Sequence, residues 1–288
     1  MDFSYRFPAV RGIQANKEYY IAMVPLKHLN KLFENDEEYI PPEYLPTFSS
    51  HTIELNLHRI PGLAEHFVYF NDDTFITQNM KREAFFRGEL PVLPPQLHGI
   101  LPRGDTGMMA HVYVNNVSAI NRHFVFKKSL RDNRDKWFAP WRIGVKACFE
   151  NLYCSRYEQF PGFRHTHLPV PLRKRTIARI WDEEPELLDQ ACSHRFRDAR
   201  DVNPYLLWQW ELAAGEFEPC RPSDLGMRFT ISEESCGSIC ESIRSHRYPL
   251  ICPNDMGGLE DERAFISIRD SLQDAFEDIL PNKSRFEK

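Results

Sequence analysis

No stretch of this sequence approaches the roughly 20 consecutive apolar residues that a bilayer-spanning helix requires. The opening MDFSYRFPAVRGIQANKEYY also lacks the apolar core of a secretion signal. The expectation from both absences is a cytoplasmic protein with no membrane span. Basic charge is not in excess: 36 Lys and Arg stand against 41 Asp and Glu, a net charge of −5. The chain as a whole therefore offers no electrostatic footprint for nucleic acid, and any basic site must be local. Paired CxxC spacing is missing as well. The seven cysteines are scattered, and Cys236 and Cys240, four apart on one face of a helix, are too few for a zinc site, so buried reduced thiols are expected. A glycine-rich phosphate loop and a GxSxG elbow are both absent, which leaves P-loop NTPase and serine hydrolase chemistry without support. Internal repeats and low-complexity tracts are not found either.

What is present suits a compact globular protein. Hydrophobic residues make up 42% of the 288 and charged residues 27%, close to the globular average. The segment 18–24 (EYYIAMV) reads as a strand closed by Pro25, and HFVYF at 66–70 as a second, ended by Asn71, Asp72 and Asp73. Between them, Ser49 or Ser50 can cap a helix carrying Ile53, Leu57 and Ile60 at helical spacing until Pro61 and Gly62 stop it. Residues 88–105, with Pro91, Pro94, Pro95 and Pro102 and three glycines, are expected to be without regular structure. Helical patterns follow near 107–121, 124–135, 142–154 and 171–182, and Asp201 can cap another helix running to Gly215. MRFTI at 227–231 and YPLIC at 248–252 are short strand candidates. A final helix repeats Phe265, Ile268, Leu272, Phe276 and Ile279 before Pro281. The predicted fold is α/β: a mixed sheet built from the 18–24, 66–70 and C-terminal strands, with a large helical insertion at about 107–215. The sheet-forming parts are about 18–105 and 224–288, and residues 1–288 are taken as one domain.

Several residue groups can carry chemistry. Asp72 and Asp73 stand at the end of an apolar strand, where ligands of open α/β sheets bind. Carboxylates there can hold a divalent cation on a diphosphate or accept a proton from an attacking hydroxyl, although a solvated turn has the same composition. His165 and His167 flank Thr166; on a strand both imidazoles would share a face, as in a metal hydrolase, and a single general base or phosphate ligand fits equally. Arg173, Lys174 and Arg175, then His194, Arg195, Arg197 and Arg200, are candidate phosphate partners, or a solvated face paired with the acidic stretch 182–186. Asn254 and Asp255 follow an apolar run much as Asn71 and Asp72 do, and the two strand ends can converge on one metal or diphosphate, or be unrelated turns.

Four ordered blocks carry a resemblance: YIPPEYLPTFSSHTIELNLHRIPGLAEHFVYFNDDTFI at 39–76, HLPVPLRKR at 167–175, HRFRDARDVNPYLLWQW at 194–210 and YPLICPND at 248–255. Together they resemble the Stealth family, the capsular and exopolysaccharide phosphotransferases related to the lysosomal-enzyme N-acetylglucosamine phosphotransferase. The resemblance implies transfer of a sugar 1-phosphate from a UDP-sugar donor to a glycan acceptor hydroxyl, with release of UMP and a need for Mg²⁺ or Mn²⁺. It places catalytic roles on Asp73, His167, Arg197 and Asp255, substrate contacts on Asn71, Lys174, His194 and Asn254, and metal ligation on Asp72 and Asp73. The family's opening strand block, of the type DVVYTWVDG, is not found before Lys17, and the sequence enters the pattern at about EYYIAMVPLKHL. The alternative expectation is a truncated, catalytically silent relative that binds glycan or a partner chain.

Overall fold

The structure, a computed structural model, describes residues 39–71, 73–101, 107–255 and 261–282, together with the backbone of 20–22. Three small sheets organise it. The first runs β1 (Tyr20–Ala22), β2 (His66–Tyr69) and β6 (Val170–Arg173), with β1 parallel and β6 antiparallel to the central β2. The second joins β3 (Phe75–Ile76), β9 (Leu250–Asn254) and β8 (Gly226–Thr230). The third joins β4 (Phe86–Arg87), β5 (Leu90–Leu93) and β7 (Glu218–Pro219). The α/β expectation holds, with one correction. The C-terminal strands do not pair with β2; β9 pairs with β3, the short strand that follows β2 after a turn, and β8 pairs with β9.

The helices are α1 (Ser50–Leu55), α2 (Gly107–His123), α3 (Phe126–Asp132), α4 (Arg134–Trp137), α5 (Pro140–Ile143), α6 (Val145–Cys154), α7 (Lys174–Glu183), α8 (Pro185–Ser193), α9 (Tyr205–Ala214), α10 (Pro222–Leu225), α11 (Glu233–Arg244) and α12 (Glu262–Ile279). The expected helical stretch is present as α2 to α9, and β6 interrupts it. Residues 171–173, read as the start of a helix, are strand because β6 lies at the sheet edge, where Pro171 costs no inner ladder bond. Pro185 does not end the helical run; it occupies the first turn of α8, where its missing N–H is no loss. Asp201 caps nothing. Pro204 precedes α9 instead, and Gly215 closes that helix at φ +75°, a left-handed conformation that glycine adopts without strain.

The proline-rich segment is partly regular, contrary to expectation. Gly88, at φ +60°, turns β4 into β5. Pro91 is accommodated because the next residue supplies the bond, Val92 N–H donating to the Phe85 carbonyl at 2.8 Å.

Hydrophobic burial ties these parts together. The largest core cluster sets Phe67 of β2 and Leu172 of β6 against α2, α7 and α9, with Ile120, Ile177, Leu206, Trp210 and Leu212 fully or almost fully buried. A second cluster puts Val68 and Phe70, from the other face of β2, against Leu250 and Cys252 of β9. The alternation along β2 thus joins the helical body to the C-terminal sheet. A third cluster packs β8 and β9 on α11 and α12. The latter two helices start at side-chain caps: Ser232 with Ser235 forms a capping box, and Asp261 accepts from Arg263 N–H at 2.9 Å.

One buried ionic network couples β6 to α9. Arg173, 2% exposed, donates from Nε to Glu211 Oε1 at 2.9 Å, and its Nη2 reaches both Glu211 and Glu216. The Thr176 hydroxyl donates to the same Glu211 carboxylate. Arg173→Ala leaves Glu211 without its countercharge in the interior and should lower stability by about 3–5 kcal/mol. Urea titration would read this as a lower midpoint at unchanged slope; a loss below about 1 kcal/mol would show that the network carries little of the coupling between sheet and helices.

Candidate functional site

The ends of three strands meet at one point. β2 leaves the sheet at Phe70, and a turn closed by Thr74 N–H on the Asn71 carbonyl (3.2 Å) brings Asp73 beside β9. The antiparallel register Phe75↔Ile251 then places Asp73 against Cys252 and Asn254, which share one face of β9 because strand side chains alternate. On the neighbouring β8, Arg228 lies opposite Cys252 and donates to Asn254 Oδ1 at 3.1 Å. His167 arrives from the other side. It lies three residues before β6, whose Val170 pairs with Tyr69 at the same end of β2.

The contacts converge on Asp73 Oδ2. It accepts from His167 Nε2 at 3.2 Å, from Asn254 Nδ2 at 2.8 Å and from Cys252 Sγ at 3.3 Å. Burial alone would raise the Asp73 pKa, but these hydrogen bonds and the adjacent imidazole outweigh it and hold the carboxyl below its usual range. The ligand atoms of Asp73, His167 and Cys252 lie within 4.8 Å of one another, a group able to hold a metal ion. Oδ1 of Asp73 is buried and has no hydrogen-bond partner among the described residues. An unsatisfied buried carboxylate oxygen is costly unless something else satisfies it, and a cation fits that need.

His167 occupies this place in an unusual backbone conformation, φ +54°, which costs a residue with a Cβ of order 1–2 kcal/mol. Its Nδ1 faces the Tyr205 hydroxyl at 3.3 Å, at the first residue of α9. His165 does not join it. That ring stacks on Tyr205 at 4.7 Å between centroids and tilts against Tyr113 at 5.3 Å, and burial pushes its pKa down to about 4, so it is neutral near pH 7. Residues 165 and 167 lie outside any strand, and the shared imidazole face expected of a metal hydrolase is not formed.

A second polar group lies around Arg197. Its Nη2 donates to Ser50 Oγ at 2.6 Å, and its charge acts on Glu54 and on Tyr113. Glu54 of α1 is buried, and burial raises its pKa to about 7 even though the Tyr69 hydroxyl donates to Oε1 at 2.6 Å and Arg197 opposes the rise. The loop holding Arg197 is organised by Asp201, fully buried, which accepts from Asp198 N–H (2.9 Å) and contacts His51 Nδ1 (2.9 Å) and His194 Nδ1 (2.7 Å).

The expected site residues are therefore distributed unevenly. Asp73, His167 and Asn254 come together, Asn71 closes their turn, and Asp255 is exposed at the end of β9. Asp72 lies outside the described residues. Arg197 belongs to the neighbouring group, and His194 gives its Nδ1 to the Asp201 hub. Lys174 does not reach the cluster: it sits at the far end of β6, on the order of 13 Å of strand away from the end that His167 enters, with Nζ on the Leu63 carbonyl at 3.2 Å. Cys252, Tyr205, Glu54 and Arg228 had gone unnoticed as site residues. Cys252, Tyr205 and Glu54 stand within the conspicuous blocks YPLICPND, HRFRDARDVNPYLLWQW and 39–76, and Arg228 lies outside them.

Comparison with known proteins places the sequence in a family. The family model described as Stealth protein CR2, conserved region 2, matches residues 26–91. The capsular polysaccharide phosphotransferase WcwK of Streptococcus pneumoniae is 32% identical over 279 residues, 95% of this chain and 81% of that protein. This chain belongs to the Stealth family. The receptor polysaccharide phosphotransferase WefC of Streptococcus gordonii is 33% identical, covering 87% of this chain and 72% of its own. The exopolysaccharide phosphotransferase cps2G of Lactiplantibacillus plantarum is 31% identical, covering 86% and 71%. No helix among the described residues of this Stealth protein is long and apolar enough to cross a membrane.

Glu54 generates a signed pH prediction. Its folded pKa, raised by burial from its ordinary 4.5 to about 7, means that folding takes up a proton between those values. Its contribution is fully present below about pH 4.5 and is lost as pH rises through about 7. Glu54→Gln lacks this dependence. The stability of the variant relative to wild type should therefore rise by roughly 3 kcal/mol between pH 4.5 and 7, measured by denaturant titration across that window; a flat difference would mean that Glu54 titrates normally.

Proposed function

We propose that the protein is a phosphotransferase of capsule or exopolysaccharide synthesis that moves a hexose or N-acetylhexosamine 1-phosphate from a UDP-sugar to a glycan hydroxyl and releases UMP. The observation that carries this reading is the Asp73–His167–Asn254–Cys252 cluster with its unpartnered carboxylate oxygen. It occurs in a family member whose relatives are named as polysaccharide phosphotransferases.

In this reaction the acceptor oxygen attacks the sugar-linked phosphorus, the bond from that phosphorus to the bridging oxygen breaks, and UMP leaves with the bridging oxygen. The acceptor proton must go to a base. Asp73 orients the His167 ring through Nε2 and stabilises the imidazolium, which leaves Nδ1, next to the Tyr205 hydroxyl, to take the proton. Arg197 and Arg228 supply positive charge for the phosphate oxygens. A divalent cation, Mg²⁺ or Mn²⁺, would be held at the unpartnered Asp73 Oδ1 together with Asp72, since hard cations take oxygen ligands while His167 and Cys252 stay on Oδ2. When bound, it would neutralise diphosphate charge. Asn71 and Asn254 support the turn and the carboxylate, and His194 acts by setting the Arg197 loop.

Two experiments test this. Asp73→Asn and Arg197→Ala should each lower transfer from a UDP-sugar by on the order of a hundred- to a thousandfold while the chain stays folded. Unchanged turnover in either variant overturns that residue's role. Calorimetry should show UDP-N-acetylglucosamine or UDP-glucose binding with Mg²⁺ or Mn²⁺ and losing affinity with chelator. Absence of binding to the folded chain would favour a silent, glycan-binding relative.

A further inference from the structure

Helix α6 is apolar on two opposite faces. Its inner stripe, Ala147, Asn151 and Cys154, is buried, and Asn151 anchors it there. The Asn151 amide donates to the Pro95 and Trp137 carbonyls at 2.8 Å each and accepts from Leu97 N–H at 2.8 Å. The helix cannot roll without losing all three bonds. Its outer stripe, set by the helical period, carries Val145 (61% exposed), Phe149 (67%), Leu152 (59%) and Tyr153 (61%). Trp141 of α5, 74% exposed, stands just before its start. Helices that are apolar all round are normally buried, and an exposed ridge of this size marks an interaction surface.

Charge identifies the occupant. Residues 124–157 carry eight Lys and Arg against three Asp and Glu, a local charge of +5 in a chain whose total is −5. Lys127, whose Nζ donates to the Ser155 carbonyl at the end of α6, Lys146 and Arg156 are exposed, as is Lys128 on α3; Glu158 at 3.6 Å and Asp132 at 2.6 Å offset part of the charge of Lys127 and Lys128, and the Arg156 guanidinium lies over the Tyr153 ring at 5.4 Å. A two-fold interface between copies would set this basic rim against itself. A bilayer with anionic headgroups accepts both features at once: apolar side chains enter the acyl boundary while long basic side chains reach the headgroups. We propose that the Trp141–Tyr153 ridge is a peripheral docking surface for an anionic phospholipid membrane, holding the enzyme on the bilayer without spanning it.

The test is sedimentation of the full chain with vesicles of phosphatidylcholine containing phosphatidylglycerol, and with vesicles of phosphatidylcholine alone. Wild type should pellet with the anionic vesicles and be released by salt. Phe149→Glu with Leu152→Glu should reduce binding at least about tenfold, and Lys127→Glu with Lys128→Glu should weaken it with the apolar ridge intact. Circular dichroism checks that each variant is folded; the lysine pair is exposed and lies outside the core. Folded wild type that stays in the supernatant with both vesicle types overturns the proposal. So does a wild-type dimer that Phe149→Glu with Leu152→Glu converts to monomer, since the ridge would then be an interface between copies. The proposal does not depend on the transfer reaction, and failed transfer with retained vesicle binding would leave it standing.

Discussion

The Arg173–Glu211 ion pair is the constraint on which the site's geometry depends. Two charges taken out of water need full compensation, and here Arg173 satisfies Glu211 and Glu216 while Thr176 takes a further lone pair of Glu211. The pair fixes β6 against α9, and each of these elements delivers a site residue. His167 enters β6 from its N-terminal side, and Tyr205 opens α9. Their contact is therefore made by a buried network at the far end of the strand, so that the imidazole's orientation is inherited from the core.

The Arg197 side of the site rests on a similar economy. A fully buried Asp201 collects the His51 imidazole from α1 and, from its own loop, the His194 imidazole and the Asp198 backbone N–H. The resulting loop lays Arg197 on Ser50, within electrostatic reach of Glu54. A carboxyl whose pKa burial raises to about 7 sits within electrostatic reach of the Arg197 guanidinium, so that near neutral pH it offsets only part of that positive charge. Had Glu54 been fully ionised, Arg197 would be paired internally.

Much of this was legible in the residues because it is local. The apolar run of β2 ending in Asn-Asp-Asp, its echo at Asn254, and the 3.6-residue period of α12 each announce themselves over a few positions. The suspected convergence of the two Asn-Asp strand ends is real, though the strands meet through the two-residue β3, too short to leave a pattern. β5 was hidden by Pro91 and the prolines that follow it; Pro91 is tolerated because Val92 provides the ladder bond. Cys252, expected to be a buried thiol, is buried, and Glu54 gave no signal in the sequence; what distinguishes them is the hydrogen bond of Cys252 to Asp73 and the charge of Arg197 acting on Glu54, residues distant in the chain. Lys174 misled in the opposite sense, since a basic run beside a conspicuous histidine lies in fact at the other end of a strand.

The left-handed backbone at His167 has a consequence for how this position can vary. Glycine and asparagine, which tolerate such a conformation best, carry no imidazole, while every other side chain inherits the strain without the ring's contacts to Asp73 and Tyr205. Relief of strain and retention of the imidazole are thus mutually exclusive in a single substitution. Position 167 has no neutral neighbour among the amino acids, and a lineage that has lost the histidine there can return to it only by taking the backbone cost back as well.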